Sequence, residues 1–71
     1  MATVTAEEFI ARFAHALGGP APTDEEIAAV LRLASVAAHG SERRAAPVAC
    51  WLAARAGVDL EDARALAEAI G

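Results

Sequence analysis

Apolar positions recur at helical spacing in four stretches of this chain, and capping or breaking residues separate them. Thr5-x-x-Glu8 is a capping box, with Val4 placed to pack on Phe9 as a hydrophobic staple, and Gly18-Gly19-Pro20 ends the helix it opens. That helix carries Phe9, Ile10, Phe13 and Leu17 on one stripe. Glu8, Arg12 and His15 share the opposite face, Glu8 and Arg12 forming an i,i+4 pair of the favourable polarity. Pro20-Ala21-Pro22 makes a stiff connector to a second capping box, Thr23-x-x-Glu26, with Asp24, Glu25 and Glu26 in the first turn where the helix dipole favours acids.

The second helix runs to about His39. Ile27, Val30, Leu31, Leu33, Ala34, Val36, Ala37 and Ala38 cover most of its circumference and leave a narrow polar strip of Glu25, Arg32, Ser35 and His39, the signature of a helix contacted on several sides. Gly40 is placed to cap it in the left-handed conformation. Pro47 lies too deep for a helix beginning at Glu42, so the pattern predicts a short turn over Glu42 to Ala46 and a third helix, 47–56, with Pro47 in its first position. Val48, Trp51 and Leu52 with four alanines predict that this helix is nearly as buried as the second. Gly57 ends it. Asp59 then caps a fourth helix with Leu60, Ala63, Leu66, Ala67 and Ile70 facing inward and Glu61, Arg64 and Glu68 toward solvent. The expected architecture is a single compact all-α domain over residues 1–71, with four helices of which the second and third are central.

Composition sharpens this picture. Alanine supplies 21 of the 71 residues and Phe9, Phe13 and Trp51 are the only aromatics, so the core rests on few large side chains. A chain this short is near the size at which one core only just offsets chain entropy. Self-association into a homodimer is therefore expected to help cover the nearly all-apolar second and third helices. The net charge of −4 argues against nucleic acid, whose phosphates need a basic face, and Arg43 with Arg44 do not make one. The single cysteine, Cys50, fits a reducing compartment, and the first eight residues lack the charge and apolar run of a signal peptide. No uncharged run reaches the ~20 residues of a membrane span. A cytoplasmic location without membrane contact is the expectation.

Candidate chemistry concentrates in the segment His39 to Arg44. A hydrolytic reading would use Ser41 as nucleophile, His39 as base and Glu42 as orienter, but residues so close in sequence rarely meet with triad geometry. No catalytic residue is assigned. A metal reading through His39, Cys50 or His15 lacks ligand spacing, and no cofactor is implied. Arg43, Arg44 and Ser41 with helical N–H groups near Ala46 and Pro47 could converge on a phosphate-sized anion. A structural role competes: Arg43 in particular could bond the orphan carbonyls closing the second helix, with His39 favoured at that negative end and Glu42 as a salt partner. Cys50 reads as a small buried residue, Trp51 as a core or interface anchor, and His15 as idle.

The run Ala38-His39, Glu42-Arg43 and Ala45-Ala46-Pro47, an apolar helix ending in Ala-His followed by a loop and a second apolar helix, resembles a family of small actinobacterial helical domains of unknown function. Here Arg44 stands where relatives often carry proline. The resemblance is strongest over the second and third helices. Such domains occur alone or fused to molybdenum cofactor guanylyltransferase-like proteins, and no catalytic residues are assigned to them. The resemblance implies a non-enzymatic accessory or interaction module near molybdenum-cofactor nucleotide transfer or molybdoenzyme maturation, with such a transferase or molybdoenzyme as partner. The alternative is a small anion- or nucleotide-binding domain using His39, Ser41, Glu42, Arg43 and Arg44.

Overall fold

The computed structural model describes residues 3–71, and these form the expected all-α fold: α1 (Ala6–Leu17), α2 (Asp24–Gly40), α3 (Ala45–Ala56) and α4 (Leu60–Ile70). Both capping boxes close. The Thr5 and Thr23 hydroxyls each accept from the backbone N–H three residues on at 3.1 Å, while Glu8 and Glu26 accept in return at 3.1 and 2.8 Å. At the other end of α1, Gly18 adopts φ 84° and its N–H, with that of Gly19, closes the last turn onto His15 and Ala14. Gly57 does the same for α3 at φ 70°. Asp59 caps α4 by accepting from Glu61 N–H at 3.1 Å.

α2 is the hub, with α3 and α4 both packed along it. The residues turned inward on α3 are Ala46, Ala49, Cys50 and Ala53, an i, i+3, i+4, i+7 stripe made only of small side chains. On α4 the corresponding stripe is Leu60, Ala63, Arg64 and Ala67. Small residues let helix axes approach closely, and the space between them is filled from α2 by Leu33, only 2% exposed. Leu33 and Ala53 are the fully buried residues among those described. The molecule measures 39 × 28 × 18 Å, so along its shortest dimension it is about two helices thick, a helix with its side chains being about 10 Å across.

This arrangement reverses the expected orientation of the large side chains. Val48, Trp51 and Leu52 were expected to bury α3, but they lie on the face opposite its alanine stripe and are exposed, Trp51 by 59%. Because α3 is apolar all round, its periodicity cannot say which face turns in, and the closer fit of alanine against α2 decides it. Leu66 and Ile70 of α4 likewise point outward, Ile70 by 91%. α1 forms no comparable interface with the other helices, and its Phe9, Phe13 and Leu17 are all more than half exposed.

Two boundary expectations also change. α3 begins at Ala45, which places Pro47 in the third position; its missing N–H costs nothing there, since first-turn donors have no partner within the helix. Gly40 is the last residue of α2 rather than a left-handed cap, and Ser41 follows at φ −146°, ψ −105°. Gly40 meets Gly71 at the end of α4 instead, where a Cβ built on Gly40 would lie 3.5 Å from the Gly71 Cα.

Substitutions test these assignments by urea denaturation. Leu33→Ala is expected to cost about 2–5 kcal/mol, a large share of the stability of so small a domain. Gly57→Ala should cost about 1 kcal/mol because of its positive φ, whereas Gly40→Ala, helical and in ordinary contact distance, should be neutral or stabilise by up to about 0.5 kcal/mol.

Candidate functional site

The segment that carries the candidate chemistry joins the end of α2 to the start of α3. Two backbone bonds shape it: Ala45 N–H donates to Glu42 O at 2.9 Å and Ala46 N–H to Arg43 O at 3.1 Å. These bonds consume the donors that an anion at the start of α3 would need. Pro47, next in line, has no N–H at all. The convergence of guanidiniums and free helical N–H groups expected near Ala46 and Pro47 is therefore not what the backbone builds.

The side chains of the segment also separate. His39 turns back along α2, its Nδ1 lying 2.7 Å from the Ser35 carbonyl oxygen and 3.1 Å from the Ser35 hydroxyl. With the proton on Nδ1, the ring donates to that carbonyl, so the imidazole satisfies α2 and does not face Ser41 or Glu42. Arg44 makes a long ion pair with Glu42 at 3.9 Å, both side chains mostly in solvent. The Arg43 side chain makes no ion pair or hydrogen bond among the described residues. The expected tie between Arg43 and the closing carbonyls of α2 does not form. The backbone N–H of Ser41, bonded to Ala37 O at 3.1 Å, helps close α2.

Beside this loop lies an apolar cleft of about 200 Å³ between the ends of α2, α3 and α4, lined by Val36, Ala37, Gly40, Ala49, Ala67 and Ile70 among others. Ser41 sits where the cleft meets a shallower hollow bordered by Glu42, Arg44, Ala45 and Val48. Polar and apolar surfaces thus meet there without a gathered set of reactive groups. No cluster of three or more metal-binding side chains occurs among the described residues. Among the described residues no helix is long and apolar enough to cross a membrane.

Two groups outside this segment have perturbed acidities. Burial pushes the Cys50 thiol up, and its Sγ lies 3.8 Å from the Val30 carbonyl oxygen, a weak contact that ties α3 to α2. The carboxyl of Glu61 is held below its ordinary 4.5, first by hydrogen bonds from Arg32 and then by one from Arg64. Arg32 reaches from α2 with Nε and a terminal nitrogen at 3.3 and 3.0 Å, and Arg64, bonded also to Glu68, approaches at 3.2 Å. Glu61 therefore links α2 to α4 rather than serving only a solvent ladder. The cue in the sequence was Arg32 itself, the one charge midway along an otherwise apolar α2.

Exposed aromatic side chains lie elsewhere. Phe9 and Phe13 stack with centroids 6.0 Å apart on the open side of α1, and Arg55 lies 4.4 Å from the Trp51 ring centroid, covering one face of the indole. Trp51 stands on such a surface, and as an exposed side chain it does not anchor the core.

Over residues 1–71 the chain matches the family described as a domain of unknown function (DUF6457), and it belongs to that family. Comparisons with curated proteins and with solved structures gave no match.

The geometry predicts that Arg43→Ala and Arg44→Ala are equal in effect, each within about 0.5 kcal/mol of the parent in urea midpoints, since neither leaves a buried group unpaired. The Glu61 bridge gives a pH dependence of definite sign. A carboxyl whose folded pKa is depressed contributes stability above its ordinary value, and that contribution disappears as pH falls through the folded value. Stability measured from about pH 6 down to about pH 3 should fall less steeply in Glu61→Gln than in the parent.

Proposed function

We propose that this chain is a non-enzymatic protein-interaction module that docks through the open apolar faces of α1 and α3. The observation that carries this reading is the amount of surface left uncovered. The chain exposes 5611 Å², against about 4,200 Å² for a typical folded monomer of 7.3 kDa. The exposed surface includes large apolar side chains: Phe9, Phe13 and Leu17 on one face, Val48, Trp51 and Leu52 on another. Contiguous apolar surface of this kind marks association sites in soluble proteins. The polar loop adds specificity at the rim through Ser41, Glu42, Arg43 and Arg44, with His39 held in α2.

The cellular setting of this module is proposed from the resemblance over Ala38 to Pro47: molybdenum-cofactor nucleotide transfer or molybdoenzyme maturation in the cytoplasm, with a nucleotidyltransferase or molybdoenzyme as partner. The acidic balance of −4 accords with protein and not nucleic acid as the partner class.

Thermal unfolding in the presence of candidate partners tests the reading. Millimolar phosphate or GTP should give no shift beyond the general salt effect, whereas a purified molybdenum cofactor guanylyltransferase should raise the midpoint in a saturable way. A saturable shift with either anion, lost in the double variant Arg43→Ala, Arg44→Ala that still folds, would replace this reading with anion binding.

A further inference from the structure

We infer that the first occupant of these faces is a second copy of this chain, with α1 of each protomer lying across the Val48, Trp51 and Leu52 face of α3 in the other. The inference rests on the reading of those faces as docking surfaces and adds the partner and the geometry. Three observations lead to it. The first is area: the surface in excess of a typical monomer is about 1,400 Å² per chain, and a standard stable interface removes about 800 Å² from each partner. A reciprocal pair of contacts is of that size.

The second is complementarity. α1 and α3 are both 12 residues long, so each presents a stripe of about 18 Å to the other. α1 opens with Glu7 and Glu8, while α3 holds no acidic residue, ends in Arg55 and follows directly on Arg43 and Arg44. Docking α1 on α3 sets Phe9 and Phe13 against Trp51 and places no acidic or basic cluster of one protomer against its like in the other. Docking α3 on its own copy would set arginines against arginines, and docking α1 on its own copy would leave Trp51 open.

The third is the connector. Gly18 in the left-handed conformation, Gly19 and the segment Pro20-Ala21-Pro22 separate α1 from α2, and no backbone hydrogen bond ties Pro20, Ala21 or Pro22 to the packed helices. The prolines favour extended chain between α1 and α2, and α1 has no comparable contact with its own α3. Applied twice about a twofold axis, the α1-to-α3 contact closes on itself and yields a finite dimer.

Sedimentation equilibrium of the whole chain at micromolar concentration tests this, using Phe13→Glu and Trp51→Glu separately and mixed. Both side chains are exposed in the protomer, and circular dichroism checks that the variants remain helical; Leu17→Glu and Val48→Glu serve as a second pair if either fails to fold. The parent should sediment at twice 7.3 kDa. Each variant alone should associate about thirtyfold more weakly or worse, as loss of an interface anchor does. Their equimolar mixture should regain dimer, because the α1 left intact in one variant meets the Trp51 left intact in the other. A monomeric parent, a single variant that still dimerises, or a mixture with no recovery overturns the inference. A monomeric parent whose stabilisation by the guanylyltransferase is lost in Phe13→Glu would overturn the dimer while leaving the interaction module standing.

Discussion

The contact between small residues on α3 and α4 and the central helix α2 determines what the rest of the molecule can do. Ala46, Ala49, Cys50 and Ala53 bring α3 close to α2, and Ala63 and Ala67 do the same for α4. Close approach improves dispersion contacts per atom but removes little area from water per residue. Leu33 is the one large side chain enclosed at the centre. Once the alanine faces are committed inward, every large apolar side chain on α3 must face away, because a helix offers opposite sides to the same pattern. The exposed Trp51 and the thin core are two consequences of one choice.

Electrostatics supports this core at its edges. Glu61 receives Arg32 from α2 and Arg64 from its own helix, so a cross-helix link stands beside the mostly small inward side chains of α4. Arg32 and Glu61 are about half exposed and Arg64 less so, which keeps the desolvation cost low and the contribution modest. At the far end Gly40 and Gly71 meet backbone to backbone, the closest form of the same small-residue principle. Along its length, α4 meets α2 through glycine at one end, Leu60 and an ion pair at the other, and alanine between.

The helices themselves were legible in the residues. Thr5 with Glu8, Thr23 with Glu26, Gly18, Gly57 and Asp59 have side-chain or backbone preferences strong enough to set helix ends without help from tertiary packing. Orientation was less legible, because α3 has apolar residues on every side and periodicity is silent when no face is polar. One signal was available: Arg55, the only charge within α3, stands three and four residues from Leu52 and Trp51 and marks their side as the outer one. The loop was hardest to read. Whether Arg43 reaches a carbonyl or whether Ala45 and Ala46 keep free N–H groups depends on local backbone geometry, and the turn satisfied those donors within itself.

A domain that spends its small side chains on packing and its large ones on the surface gains little stability from folding alone. Its net stability is set against a conformational entropy cost on the order of 100 kcal/mol, so even modest burial by association shifts the balance strongly. Anything that covers Phe13 and Trp51 binds the folded state and not the unfolded chain, and so raises stability by mass action. Under the proposed docking, folding and association are coupled through the same residues: the alanine interfaces turn the large side chains outward, and covering those side chains would in turn stabilise the alanine interfaces. The polar loop stands outside this coupling, since neither Arg43 nor Arg44 supports the core.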